Sequence, residues 1–586
     1  MFNKMSIINK GILTHSFKNI NRNFNKNPEI AYTIREKIPS PLYITTPIFY
    51  VNAEPHLGHL YSMLLCDIRN RWELLSGKQS YFTTGTDEHG FKVQIASIEK
   101  GYDNPKKFVD ELSLTFKNLA DAANVKYDRF IRTTDSDHYD TVKFFWNLLL
   151  KKKYIYKGEH SGWYSISDET FYPENAIEEK INIQTQRKMM LSKETGKEVT
   201  FEKEINYYFK LSEFYKDILK ILEKKHDFII PRSRQDELIS ELKKMGKLDD
   251  LSISRPSSRL QWGIPVPNDP SQTIYVWFDA LLSYLTGAAY PSKKFKSKWP
   301  AIHLIGKDII RFHCIYWIGF LKAANITLPQ QVIIHGHWLS NGIKMSKSIG
   351  NVVDPIDIIK YYGIDPVRFF LSETSVLEHD GDFTEERLFD SREKLISKYS
   401  NLLMRSCGSN FDIQRALERY GKMNLSRIKM EEFPLFDKSV IEEIKQLQDE
   451  LNQLAKNIGK SMENFNLHSV TNNFIRILSR SNNLFQLCEP WKLGESREHQ
   501  DLVIYLSTET VRILSITMQH VIPELSNAVL DRLKVVRTRR TIEFARVGAD
   551  EAYGASANRG GDHPITRITK RTSSYPDITI KHQKAS

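Results

Sequence analysis

Residues 41–52, PLYITTPIFYVN, are apolar almost without a break, which predicts a buried strand running into a loop. From His56 to Ser76 the spacing changes. Leu60, Leu64, Ile68, Trp72 and Leu75 recur at helical intervals, and Gly77 supplies a stop. The next run, SYFTTGT, predicts a second strand. Strand, helix and strand at this spacing make a βαβ unit, hence a parallel sheet with ligands at the carboxyl ends of its strands. Residues 151–250 lose the pattern and are dominated by Tyr, Glu and Lys, as expected of an insertion. The α/β character returns over 251–330, in YVWFDALLSYL and IHLIGKDIIRFHCIYW. Residues 385–533 are continuously helical in pattern, for example VIEEIKQLQDELNQLAKNI, which predicts an all-α bundle. From 534 to 586 the periodicity stops; a basic tail is expected, its last part, rich in Thr, Ser and Gly, poorly ordered. No internal repeat is visible. No apolar run approaches the ~18 residues of a membrane span, so no membrane partner is expected.

Charge sharpens this division. The net charge is +12, but it sits at the ends. Residues 1–28 hold five basic groups and no acid, and residues 534–586 hold eleven basic and five acidic groups, so the body is nearly neutral. Nucleic-acid binding would therefore need a local patch rather than a basic body. The Lys-, Arg- and Asn-rich start, with interspersed apolar residues and no secretory core, has the composition of an organelle-targeting segment over 1–38. Cys66, Cys314, Cys407 and Cys488 are far apart and form no CxxC pair, which argues against disulfides or a cysteine metal site.

Two short strings carry chemistry. Pro55-His56-Leu57-Gly58-His59 lies where the first strand gives way to the helix. Phosphates rest naturally at a helix N-terminus, two histidines three residues apart can face one ligand, and Gly58 lets a nucleotide approach the backbone. Lys344-Met345-Ser346-Lys347-Ser348 puts two lysines three apart on a small-residue loop, suited to a transient polyphosphate clamp. A capped surface turn and a solvated basic loop are the plainer readings of each alone.

Together the two strings resemble the signatures of class I aminoacyl-tRNA synthetases. The text between them, TTPIFYVNAEPHLGHLYS, TGTDEHG, DLSISRP, YVWFDALLSYL and LIGKDIIRFH, closely resembles the methionyl-tRNA synthetase family over about residues 41–533. The amino-terminal segment and the VGADEAYG stretch are similar to fungal organellar members. The resemblance implies a Rossmann-type catalytic domain split by an insertion and followed by a helical anticodon-binding domain. Its halves would be 39–150 and 251–330, with the insertion at 151–250, the KMSKS loop and stem-contact region at 331–384, and the anticodon domain at 385–533. It implies ATP with Mg2+, L-methionine and methionine tRNA as ligands, an adenylate intermediate, no DNA partner, and a mitochondrial matrix location. A monomer is expected, since no dimerisation module is evident.

By the same resemblance, His56, Gly58 and His59 contact ATP, Gly306 and Asp308 the ribose, and Lys344 and Lys347 the β- and γ-phosphates. Ile48, Tyr50, Trp277, Leu281, Tyr284 and His313 form the methionine pocket, whose apolar, aromatic character suits a thioether. Asp87 pairs with the substrate ammonium, and Arg255 lies at the pocket edge. Asn401, Arg405 and Trp491 read the anticodon; the first two share a helix face, and a tryptophan can stack on an unpaired base. Leu281 departs from the proline that many members have.

A second departure concerns metal. Many members carry cysteine-bound zinc in the insertion, but here no cysteine lies between Cys66 and Cys314, and Ser165 and Asp168 stand where a CxxC would be. Zinc is not expected. Other readings remain open at this level: a cysteine or leucine synthetase, a non-catalytic tRNA-binding relative, or a nucleotidyltransferase without tRNA. The lack of zinc ligands, the short insertion and the intact signatures weigh against them.

Overall fold

The computed structural model describes residues 41–571 apart from 166–169, 173, 182–186, 194, 346–349, 556 and 558–562. The expected targeting segment, Asp168 and Lys347 lie outside the described residues. The central layer is a seven-stranded sheet in the order Ile229–Ile230, Gln331–His335, Ala301–Gly306, Leu42–Thr45, Ser80–Asp87, the last of which also pairs with Phe49–Tyr50 and Arg129–Arg132. Every pairing is parallel. The expected strand–helix–strand unit is its heart: Leu42–Thr45, the helix Leu57–Leu75, then Ser80–Asp87. Buried on both faces, these strands show no polar–apolar alternation and are marked instead by aromatic and β-branched residues, which favour strands.

The insertion is narrower than 151–250. Its core is one long antiparallel pair, Ile155–Ser165 against Thr200–Phe209, joined by Thr170–Tyr172 and Leu251–Ser252. A separate hairpin, Ile177–Ile181 with Lys188–Ser192, extends from it. Tyr172, Ile177 and Val199 form a small apolar cluster backed by Trp163 and Met190. Among the described residues no group of three or more His, Cys, Asp or Glu could hold a metal ion. After Phe209 the chain has already returned to the central layer. The strand Ile229–Ile230, flanked by helices Tyr215–Lys224 and Arg232–Met245, is the edge of the parallel sheet. Only two residues long, between Lys- and Glu-rich helices, it leaves no readable apolar run. The second catalytic half likewise extends past 330, because Gln331–His335 is a sheet strand.

The helical region is built on Lys438–Glu463, Leu467–Cys488, Arg497–Met518 and Pro523–Arg532. It also receives part of the expected basic tail. Arg512, fully buried, pairs with Glu509 and donates to the carbonyls of Phe544 at 2.7 Å and Arg546 at 2.8 Å. Glu509 in turn accepts from Gly548 N–H at 2.8 Å, and Tyr553 packs on the Arg512 guanidinium. Gly548 has φ +74°, and a Cβ there would meet the Gly421 carbonyl at 2.8 Å. Farther on, Arg571 pairs with Glu385 and Asp357. The described part of 534–571 is thus seated by buried polar contacts, which leave no apolar period.

Asp365, at the start of the helix Ile364–Glu373, sits where this region meets the central layer and accepts from Leu525 N–H at 2.5 Å. Burial pushes its carboxyl from 3.8 up to about 7. The folded state therefore holds a proton that the unfolded chain releases, and stability falls as pH rises from about 4 to about 7. Asp365→Asn keeps the acceptor and should remove that part of the fall. Thermal midpoints of both proteins at pH 5 and pH 8 check this; parallel curves would contradict it.

Candidate active site

Above the carboxyl ends of the sheet strands lies a cavity of about 520 Å³. Its lining includes twelve of the expected residues: Ile48, Tyr50, His56, Gly58, His59, Asp87, Trp277, Leu281, Tyr284, Gly306, Asp308 and His313. Lys344 ends a short strand beside Met345, which lines the same cavity. Arg255 does not line it; its guanidinium rests on Tyr275, which does.

At one end the helix Leu57–Leu75 begins, and its two histidines cap it reciprocally. His56 Nδ1 accepts from Gly58 N–H at 3.1 Å, and His59 Nδ1 accepts from His56 N–H at 3.0 Å. Each ring therefore carries its hydrogen on Nε2, and the pair presents donors beyond the cap. Burial, and then the neighbouring His56, lower the His59 pKa well below the ordinary histidine value, so that ring is neutral. Gly58 has a reason the sequence did not suggest: a Cβ there would meet His56 Cε1 at 2.9 Å. At Gly306, which ends its strand, a Cβ would likewise meet Asp308 Oδ1 at 2.9 Å. Asp308 is 3.3 Å from His337 Nε2.

His335 and His337 were missed. His335 donates from Nδ1 to the Gly336 carbonyl at 2.7 Å and meets Ser62 Oγ through Nε2 at 2.9 Å. Burial pushes its pKa down to about 4. The available signal was a His-Gly-His-Trp run closing an apolar strand.

The other end is apolar and aromatic. Trp277 stacks on Phe312, centroids 3.7 Å apart. The Tyr284 hydroxyl donates to His313 Nε2 at 2.6 Å, because His313 Nδ1 already donates to the Ile309 carbonyl at 3.0 Å. Burial pushes His313 down to about 4, leaving a neutral polar edge in an otherwise apolar wall. A π-helical turn, Phe312–Tyr316, sets both Phe312 and His313. Asp87 closes this end from the strand Ser80–Asp87. The arrangement offers hydrogen-bond donors for an anion at one end and a snug apolar slot with one carboxylate at the other.

The three expected anticodon residues lie on the helical region. Arg405 lies over Phe485 at 4.6 Å and Trp491 at 5.8 Å, and donates to Gln486 at 2.9 Å. Asn401 begins the same helical segment one turn earlier, and Trp491 is 42% exposed, enough to present a ring face.

Residues 42–407 match the family model described as tRNA synthetases class I (M). The chain is 46% identical to the mitochondrial methionine–tRNA ligase of Saccharomyces cerevisiae, over 90% of this chain and 96% of that protein. It is 47% identical to the Candida albicans mitochondrial enzyme, over 92% and 98% respectively. Among solved structures it is similar to Mycobacterium tuberculosis methionyl-tRNA synthetase bound by methionyl-adenylate, with TM-score 0.77, 34% identity, and coverage of 86% of this chain and 96% of that one.

Gly58→Ala should displace the His56 ring and weaken ATP binding about tenfold, since small misplacements of positioned groups are costly. Alanine is the better helix former, which offsets the cap hydrogen bond that the displaced ring gives up, so thermal stability should change little. Kinetics at varied ATP check this; an unchanged KM for ATP would contradict it.

Proposed function

The chain belongs to the class I tRNA synthetases of the methionine–tRNA ligase family, and from that membership we infer its reaction and the part each residue plays. It ligates L-methionine to its tRNA through a methionyl-adenylate, using ATP and releasing AMP and pyrophosphate, for mitochondrial protein synthesis. The observation that carries the reading is one cavity joining the donor-bearing helix start to the apolar slot, so that a carboxylate bound at one end meets a phosphate bound at the other.

In this reading Asp87 holds the methionine ammonium, while Ile48, Tyr50, Trp277, Leu281, Tyr284 and His313 surround the thioether. The methionine carboxylate attacks the α-phosphorus and pyrophosphate departs. No covalent enzyme intermediate is needed, so catalysis is positioning plus stabilisation of charge on phosphate. His56 and His59 donate through Nε2 to phosphate oxygens, and Gly306 and Asp308 receive the ribose. Lys344 and Lys347 hold the β- and γ-phosphates, with Mg2+ arriving as the nucleotide's counter-ion. The 3′-terminal adenosine of the tRNA then takes the aminoacyl group. Asn401, Arg405 and Trp491 read the anticodon. The enzyme works as a monomer in the mitochondrial matrix, and its insertion holds no zinc; the apolar cluster of Tyr172, Ile177 and Val199 supports that last point.

Pyrophosphate exchange should respond to methionine and not to cysteine or leucine; the opposite preference would overturn the specificity. Trp491→Ala should lower tRNA charging by about tenfold or more, the worth of one base stack, and leave exchange within about twofold. Equal loss of both activities would refute the anticodon role. Metal analysis of the purified enzyme should find no stoichiometric zinc, and one zinc per chain would refute that point.

A further inference from the structure

Asp87 reaches the cavity from a short segment whose next two side chains are fastened elsewhere. Glu88, buried, takes Arg132 on both oxygens, at 2.6 and 3.0 Å, with the hydroxyls of Thr86 at 2.8 Å and Thr134 at 2.6 Å. His89, also buried, donates from Nδ1 to Asp279 Oδ2 at 2.7 Å. Asp279 belongs to the helix Val276–Gly287, whose Trp277, Leu281 and Tyr284 line the cavity, but it is not itself in the lining and is 1% exposed. Its other oxygen accepts from His138 Nε2 at 2.6 Å, on the helix Ser136–Lys151. The Thr286 hydroxyl lies 2.9 Å from His138 Nδ1 and 3.1 Å from the Leu282 carbonyl. Burial would raise the Asp279 carboxyl, but His89 and His138 prevail and hold it at about 2. The mechanism above uses none of these three residues.

We propose that the buried His89–Asp279–His138 cluster is the length gauge of the amino-acid cavity. It fixes the separation between Asp87 on one side and the wall of Trp277, Leu281 and Tyr284 on the other, and thereby selects the side chain that fits between ammonium and wall. Asp279 is a positioning residue: it ties the segment bearing Asp87 to the helix bearing that wall, and His138 braces the helix from behind. Two charge-assisted hydrogen bonds, one per oxygen, leave the carboxylate no alternative arrangement. The proposal rests on reading this cavity as the methionine site.

Three substitutions separate gauge from general support. Asp279→Asn presents an N–H to one histidine donor and releases one arm. His89→Leu removes a donor outright, whereas His89→Asn puts an amide N–H near the place of Nδ1. In pyrophosphate exchange, D279N and H89L should raise the KM for methionine about tenfold or more and leave the KM for ATP within about twofold. They should also narrow the preference for methionine over ethionine, which is one methylene longer. H89N should stay within about threefold of the parent for methionine. If D279N does not fold, the contrast between H89L and H89N decides. A parallel rise in both KM values, an unchanged preference against ethionine, or an H89N as impaired as H89L would overturn the gauge. Failure of the unmodified enzyme to exchange with methionine would instead overturn the reading of the cavity.

Discussion

The catalytic layer and the helical region depend on one buried ion pair. Asp67, on the helix Leu57–Leu75, and Arg368, on Ile364–Glu373, meet at 2.6 Å with both side chains wholly removed from water. Such a pair is tolerable only if every remaining polar atom is satisfied. Asp67 also accepts from Arg71 at 2.7 Å and Lys126 N–H at 2.8 Å, while Arg368 donates to the carbonyls of Val521, His520 and Ala123. Removing either partner would strand a charge, typically at a cost of about 3–5 kcal/mol. Next to it Arg69 reaches the Met462 carbonyl at 2.5 Å and Trp72 packs on His520. A single helix thus receives several elements of the helical region.

That helix also begins at the donor-bearing end of the cavity. Its 19 residues span about 28 Å, so one rigid element runs from the histidine cap to the domain junction. The two ends differ in chemistry. The amino end is a donor array built by local hydrogen bonds, and the carboxyl half is a set of charges completed from far along the chain.

This contrast explains what was legible in the sequence. His56 and His59 could be read because their geometry is set within four residues of chain. The strands at 42–45 and 80–87 could be read because aromatic and β-branched residues dominate them and helical spacing separates them. His89 and Asp279 could not, since 190 positions separate them and neither residue alone announces a partner. The seating of 534–571 was hidden for a related reason: Arg512 and Glu509 hold it through backbone groups, and a backbone carbonyl has no sequence signature. The two-residue strand at 229–230 is too short to show a period. The anticodon roles proposed for Asn401, Arg405 and Trp491 rest on family resemblance, because a helix-face polar pair and an exposed tryptophan are not distinctive in themselves.

The reciprocal histidine cap has a consequence for chemical selectivity. Two histidines one turn apart would ordinarily make a ready chelate for a soft divalent ion. Here each δ-nitrogen lone pair is closed off by a backbone N–H, which keeps the hydrogen on the ε-nitrogen. To ligate a metal through Nε2, either ring would have to move that hydrogen to Nδ1 and break the cap. The same two hydrogen bonds that start the helix therefore protect the site against adventitious copper or zinc, without any residue devoted to exclusion.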